Sequence, residues 1–329
     1  MLLRLDAVVR VVEGESTMRR RVEVLRARLA DPGRGLLHLR PAVRVPGLVG
    51  RGAPFAAVSV VPERCAMFAS TATCALVALA DATYAHVLRV IYKRGDDLRR
   101  DAAMLRLFRL CARTWAAHGM DELVPGRLFY GVVPVGAQAG LVEFVEGSRS
   151  IAALLAGGGA EGAPAHVPAL DAFVRAVPGR LDAFVRSCAG FSVLTFVFGV
   201  GDRHLDNLLL TADGHVLHID FAYRYGADPK PFPPPIKLAR EMVAVMLGDA
   251  GRWLAFKRHC RLALAVLRAQ AHVITAAVAL SDGPGPAAFV AERLRTGEDA
   301  FDALIEESRR AFFPQVMEAL HKWAQYWKS

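Results

Sequence analysis

The stretch from Phe198 to Gly226, F-G-V-G-D-R-H-L-D-N-L-L-L-T-A-D-G-H-V-L-H-I-D-F-A-Y-R-Y-G, constrains the fold more than any other. Leu208–Thr211 is a short apolar run, Asp213-Gly214 is a two-residue hairpin signal, and Val216–Ile219 is the return run. Asn207 and Asp220 are equidistant from the midpoint of that turn. In a two-residue hairpin such residues stand opposite one another, side chains on one face and Cβ atoms about 5 Å apart. An amide oxygen and a carboxylate then meet at the open end of the hairpin. That is a donor set for a hard cation, because Mg²⁺ takes a few protein oxygens and fills its shell with water and phosphate. Asp202-Arg203-His204 sets a base and a cation one short loop upstream. Each residue alone has a structural reading: Asn207 as a loop cap, Asp220 as a strand-end turn residue, His204 as a core histidine. Their joint spacing on one hairpin points to a site.

Apolar residues make up 53% of the 329, which is the composition of a globular chain with one large core or two lobes. No run of about 18 uncharged apolar residues occurs, so no transmembrane helix is expected. Leu262–Leu280 comes nearest, interrupted by Arg268, Gln270 and His272. The N-terminus alternates charged and apolar residues and does not read as a signal peptide. The five cysteines are scattered without a C-x-x-C pair, which suits a reducing cytosol and argues against disulfides or zinc. The net charge of +9 favours phosphate-rich partners such as nucleotide, nucleic acid or an anionic membrane.

Leu3–Leu29 carries helical periodicity, with Arg19-Arg20-Arg21 on a solvated face, and Asp31-Pro32-Gly33 ends it. Short apolar runs punctuated by Pro and Gly follow, as in a small β-rich lobe. Phe68–Thr73 reads as a hairpin. Val87–Lys93 predicts a strand, Gly95 breaks it, and Asp96 or Asp97 caps a helix running to about His118. Phe129–Pro134 and Gly140–Val145 predict two further strands. Leu170–Val177 and Leu181–Phe198 are helical, the second almost wholly apolar after Arg186. Five prolines lie between Asp228 and Ile236 and favour a stiff extended segment. From Lys237 onward the pattern is helical.

The string D-R-H-L-D-N, a hairpin, then D-F-A resembles the catalytic loop and metal segment of the phosphatidylinositol 3-/4-kinase superfamily, D-R-H-x-x-N followed by D-F-G. That order inverts the H-R-D of protein kinases. The string K-R-G-D-D-L-R-R-D beginning at Lys93 resembles the family's K-x-G-D-D-L-R-Q-D, with Arg100 for glutamine. The activation segment D-P-K-P-F-P-P-P-I-K-L and the ending H-K-W-A-Q-Y-W-K-S resemble the class III phosphatidylinositol 3-kinases most. The resemblance runs from about Arg40 to Ser329.

It implies an α+β, two-lobed kinase-like fold: a small β-rich N-lobe over 34–145 and a larger, mainly helical C-lobe over 146–329. Residues 1–33 are then a helix left from a preceding helical domain. It implies ATP with Mg or Mn. Asp202, Arg203 and His204 would be catalytic, with His204 the general base and Asn207 and Asp220 the metal ligands. Lys93 would steady ATP phosphates, oriented by Asp101. Ser70 would lie in a phosphate-covering turn, Tyr130 in the adenine pocket, and Glu143 and Val145 in the interlobe hinge. Arg224, Lys230 and Lys237 are the only cations from Asp220 to Leu238 and would face the acceptor. So few suit phosphatidylinositol over its phosphorylated forms, which need several cations. At the C-terminus, Trp323, Tyr326 and Trp327 beside Lys322 and Lys328 have the composition of a membrane interface. The resemblance implies a cytoplasmic enzyme, peripheral on endosomal or autophagic membranes and working with regulatory subunits; nucleic acid is not an expected partner. Three features depart from the family: Ala222 for glycine, Ala69 and Leu76 where lysine is usual, and a short loop between Leu280 and Ala287. The alternatives are a related Ser/Thr protein kinase and a catalytically weak scaffold.

Overall fold

The computed structural model of the chain describes residues 1–34, 36–39, 42–45, 55–68, 72–157 and 167–310. Ser70, Ala69 and the terminal Trp323, Tyr326 and Trp327 lie outside the described residues. The chain divides into two units, Met1–Arg106 with Phe129–Glu146, and Leu107–Leu128 with Gly147–Ser329.

In the first unit the periodicity of Leu3–Leu29 resolves into two helices, α1 (Leu2–Glu13) and α2 (Met18–Ala30). Gly14 ends the first, and the Thr17 hydroxyl caps the second by accepting from the Arg20 N–H. Leu5, Val8, Val9 and Val12 of α1 and Leu25 and Leu29 of α2 are buried in one core with the sheet. Arg19 and Arg20 pair with Glu23, so the basic cluster is partly neutralised on its own helix.

Strands β1 (Val43–Val45) and β2 (Phe55–Ala57) form a two-stranded ribbon. β3 (Ser59–Val60), β4 (Ala66–Phe68), β5 (Thr73–Ala80) and β6 (Val87–Arg94) then build the main sheet. The helix α3 (Arg99–Ala116) follows, then β7 (Val132–Pro134) and β8 (Ala139–Glu143). The sheet order is β3-β5-β6-β8-β7, with β4 also on β5. Leu88, Val90 and Tyr92 alternate into the core, and Arg94, on the same side, reaches Asp6 and Glu13 of α1. Lys93 therefore lies on the other face of the sheet. Leu76 is not in a turn: it is buried in β5, paired with Ile91.

The second unit takes the rest of α3, then β9 (Arg149–Ser150), α4 (Ile151–Gly157), α5 (Val167–Arg175) and α6 (Arg180–Val197). α6 is buried along nearly its whole length from Phe184, as its apolar run requires. The Ser187 hydroxyl accepts from the Val216 N–H at 2.9 Å and so ties this helix to the hairpin β10 (Leu208–Leu210) and β11 (Val216–His218). The helices α7 (Arg240–Leu247), α8 (Ala250–Ala269), α9 (Ala271–Asp282), α10 (Pro284–Leu294) and α11 (Glu298–Arg310) follow. The Trp115 indole donates to the Ala263 carbonyl at 3.0 Å, joining α3 to α8. Phe108 packs against Phe191, Phe198 and Phe221 in an aromatic cluster beneath the hairpin end. Among the described residues no single helix is long and apolar enough to cross a membrane; α8 and α9 pass only as a pair bent by 74°. All five cysteines are buried and free.

Candidate active site

The hairpin does not have the expected register. Leu208 pairs with His218 and Leu210 with Val216, and the Thr211 N–H donates to the His215 carbonyl at 2.9 Å. The connection is thus three residues, Ala212-Asp213-Gly214, with Gly214 in the left-handed region at φ +92°. Three-residue hairpins end in such a residue, and glycine takes it without a Cβ penalty. Thr211 fastens the tip: its hydroxyl donates to Asp213 and accepts from the His215 N–H, while Arg127 pairs with Asp213. Asn207 consequently faces Ile219, whose N–H donates to the Asn207 carbonyl at 3.1 Å, and not Asp220. A one-residue shift moves a side chain to the other face of a ladder. The symmetric spacing about Asp213-Gly214 is therefore not what relates Asn207 to Asp220.

Arg203 supplies the connection instead. Its Nε donates to the Gly201 carbonyl and its Nη1 to the Ile219 carbonyl, each at 2.7 Å, and its Nη2 donates to the Asp220 carbonyl. One guanidinium fork thereby binds the loop before the hairpin to the chain leaving it. The Asn207 amide donates to the Asp202 carbonyl at 2.9 Å. Asp202, Arg203, Asn207 and Asp220 are thus held in one backbone network. Asp202 and Asp220 both have left-handed backbones, at φ +53° and +62°. Such conformations cost on the order of 1–3 kcal/mol each and persist only where surroundings enforce them, typically at functional sites.

His204 is not a core histidine: its side chain is 44% exposed. Its Nδ1 accepts from the Asp206 N–H at 3.2 Å and caps the short turn Leu205–Asn207. The Asp202 and Asp206 carboxylates lie 3.9 Å from Nε2 and Nδ1 respectively. Ala222 fits without strain, because the left-handed residue of this segment is Asp220 and not position 222. The Asp220 Oδ1 accepts from the Ala222 N–H at 3.3 Å.

Two of the three activation-segment cations are committed to carboxylates. Arg224 pairs with Asp282 of α9 at 2.8 Å, and Lys237 pairs with Asp228 at 2.9 Å. Both are largely buried, and a buried cation needs a partner. Lys230 is exposed and has no ion pair among the described residues. Asp228 and Asp282 drew no attention in the sequence; the one available signal was an acid near the start of a proline-rich segment that ends in lysine.

In the first unit, Lys93 pairs with Asp96 at 2.5 Å. Asp97, not Asp96, caps the helix, accepting from the Arg99 N–H, and the Arg99 guanidinium holds its carboxyl down at about 2. Asp101 is buried in the first turn of α3. Tyr130 is buried. The Glu143 carboxylate accepts from the Gly131 N–H, and the Glu143 N–H donates to the Gly131 carbonyl, both at 2.8 Å. Its side chain therefore serves the β7–β8 end, and Val145 follows half-buried.

Comparison with known proteins fits this arrangement. The family model described as phosphatidylinositol 3- and 4-kinase matches residues 88–173 and 165–283, more than half of the chain. The chain belongs to the phosphatidylinositol 3- and 4-kinase family. The match to the phosphatidylinositol 3- and 4-kinase family begins in β6 and runs past α9, taking in every described candidate residue. Among relatives, the phosphatidylinositol 3-kinase VPS34 of Arabidopsis thaliana is 38% identical over 269 residues, 73% of this chain and 31% of its own length. That of Saccharomyces cerevisiae is 36% identical over 259 residues, 73% of this chain and 29% of its own. Phosphatidylinositol 3-kinase pik3 of Schizosaccharomyces pombe is 33% identical over 367 aligned residues, 100% of this chain and 42% of its own. The chain thus spans between 29% and 42% of the length of these three family members.

Proposed function

We propose that the chain is an ATP-dependent lipid kinase that transfers the γ-phosphoryl group to the 3-hydroxyl of phosphatidylinositol. The observation that carries this reading is the Arg203-bound loop, which presents exposed His204 beside the strained Asp202 and Asp220 backbones. In phosphoryl transfer the protein's work is positioning and charge neutralisation.

The donor set fits Mg²⁺ or Mn²⁺. Asn207 spends its amide N–H on the Asp202 carbonyl, so its Oδ1, with no hydrogen bond among the described residues, is left as an acceptor next to a segment ending in Asp220. Asn207 and Asp220 would hold the ion, which neutralises phosphate charge when bound. Lys93, paired with Asp96, would steady ATP phosphates, and Asp101 would orient it. Ser70 would contribute to the phosphate-covering turn. Tyr130, Glu143 and Val145 would frame the adenine, Glu143 and Val145 through backbone groups.

His204 would take the proton of the acceptor hydroxyl as its oxygen bonds phosphorus and ADP leaves. With Nδ1 accepting from Asp206, the neutral ring carries its hydrogen on Nε2. The lone pair that receives the proton is therefore on Nδ1, freed when that 3.2 Å bond opens, and the nearby Asp202 and Asp206 carboxylates then face an imidazolium. His204→Ala should lower kcat by about 10²–10⁴-fold and leave ATP affinity within a factor of two. Unchanged turnover at saturating ATP with collapsed ATP affinity would refute the assignment.

With Arg224 and Lys237 tied to carboxylates, Lys230 is the cation left for an acceptor. Phosphatidylinositol should accordingly be used faster than its 4,5-bisphosphate in liposomes of matched composition. Equal or faster use of the bisphosphate contradicts this. The same assay run against a peptide panel tests the function itself: transfer to peptides and not to lipid would favour the protein-kinase alternative, and no transfer the scaffold. Phe232, fully exposed beside Lys230, and the terminal Trp323, Tyr326 and Trp327 would meet the bilayer. The expected setting is the cytoplasmic face of endosomal or autophagic membranes, with regulatory subunits.

A further inference from the structure

The loop that carries Asp202 and His204 runs beside the start of the activation segment. The Tyr225 N–H donates to the Phe198 carbonyl at 2.8 Å, the Gly226 N–H to Gly199 at 2.9 Å, and the Gly201 N–H to Tyr223 at 3.0 Å. This short ladder stops at Gly201, one residue before Asp202 turns left-handed. What continues it is a side chain. The Asp228 Oδ2 accepts from the Asp202 N–H at 3.2 Å and from the Lys237 ammonium at 2.9 Å, while its Oδ1 accepts from the Lys230 N–H at 2.9 Å. The Asp228 and Lys237 side chains are 5% and 10% exposed. Between them lie five prolines, so a stiff segment of ten residues is closed on itself by one buried ion pair.

We propose that Asp228 and Lys237 are positioning residues, which through the Asp202 N–H hold the catalytic loop in its left-handed turn and so set the place of His204. Three facts favour this over a pair that merely joins two ends of a loop. The acceptor oxygen shared by Lys237 is the same atom that receives the Asp202 N–H. A buried ion pair is a poor source of net stability, since desolvation offsets much of the attraction, whereas losing one partner strands a charge. Finally, Asp202 has a left-handed backbone at φ +53°, and the Asp228 carboxylate is the group that accepts its N–H. Burial, which opposes the Asp228 carboxylate, is outweighed by the Lys230 N–H and the Lys237 ammonium, and its pKa lies below the ordinary value. Burial also draws the Lys237 ammonium below its usual range, against the pull of Asp228.

This rests on the kinase reading for its rate measurements but not for its structural one. In the full chain, Asp228→Ala and Lys237→Met should each lower kcat for transfer to phosphatidylinositol liposomes by about 10–100-fold, the scale of a misplaced catalytic group. KM for ATP should stay within a factor of two, and Lys237→Arg should recover kcat to within about threefold. Amide hydrogen exchange at Asp202 should speed up at least about tenfold in Asp228→Ala relative to the parent, far below the melting temperature. Asp228→Glu, which keeps the charge and lengthens the arm by one methylene, serves if Asp228→Ala does not fold; it should lower kcat about fivefold with the melting temperature unchanged. Parent-like kcat together with parent-like exchange at Asp202 in a folded Asp228 variant overturns the proposal. A parent chain that transfers no phosphate but shows the exchange difference would instead overturn the kinase reading and leave the positioning role standing.

Discussion

Asp220→Asn abolishes phosphoryl transfer while leaving a folded protein; that is the largest effect on activity expected of a single atom replacement here. The choice of asparagine matters. Asp220 sits at φ +62°, a region that asparagine tolerates and alanine does not. The amide oxygen can still accept the Ala222 N–H, and the backbone carbonyl still receives Arg203. These contacts keep the segment in place, and the melting temperature should stay within about 2 °C, the scale of less than 1 kcal/mol in a domain of this size. What is lost is one negative charge in the set that would hold the metal. Such a loss removes transition-state stabilisation of several kcal/mol, so turnover should fall by about 10³-fold or more. Asn207→Ala should do less, because a neutral ligand is removed, although its amide also ties down Asp202. Turnover near that of the parent in a folded Asp220→Asn protein would end the assignment of this segment to the metal.

The elements with strong periodicity were legible in advance. β6 and α6 fall where alternation and an unbroken apolar run put them, within one residue at each end. Helix continuity was less legible. Gln270 interrupts the apolar run from Leu262 to Leu280 but is neither Pro nor Gly and carries no helix-break signal, yet the axis bends by 74° there. At the site, residue identity was legible and geometry was not. Asp213-Gly214 promised a two-residue turn, but the Thr211 and Arg127 contacts with Asp213 accompany a three-residue one, and the register moved by one. Cation counting in the activation segment was incomplete for a similar reason. A sequence shows that Arg224 and Lys237 are charged but not that Asp282 and Asp228 neutralise them, since those partners are set by tertiary packing.

The largest loss of stability is expected from Gly199→Ala. Gly199 is left-handed, at φ +55°, which alone disfavours a Cβ. Space forbids it as well: a Cβ there would lie 2.5 Å from the Gly226 backbone nitrogen and 2.5 Å from Phe289 Cζ. The Phe289 ring has nowhere easy to go, because it stands edge-on to Tyr225 and under the Arg293 guanidinium. The Gly226 nitrogen is fixed too, as the donor to the Gly199 carbonyl in the ladder that aligns the catalytic loop with the activation segment. Left-handed strain and overpacking each cost about 1–3 kcal/mol, so the sum is roughly 2–6 kcal/mol. For a domain of this size that lowers the melting temperature by roughly 5–15 °C. Opening the ladder also moves Asp202, so turnover should drop in the fraction that stays folded. Trimming the obstacle with Phe289→Ala in the Gly199→Ala background should return part of the stability, but not all, because the backbone contact and the positive φ remain. Thermal unfolding of the parent, the single variant and the double variant checks this. A Gly199→Ala protein that melts within 1 °C of the parent, at ΔΔG well under about 1 kcal/mol, would mean that the loop reaches the site by a backbone path other than the one described.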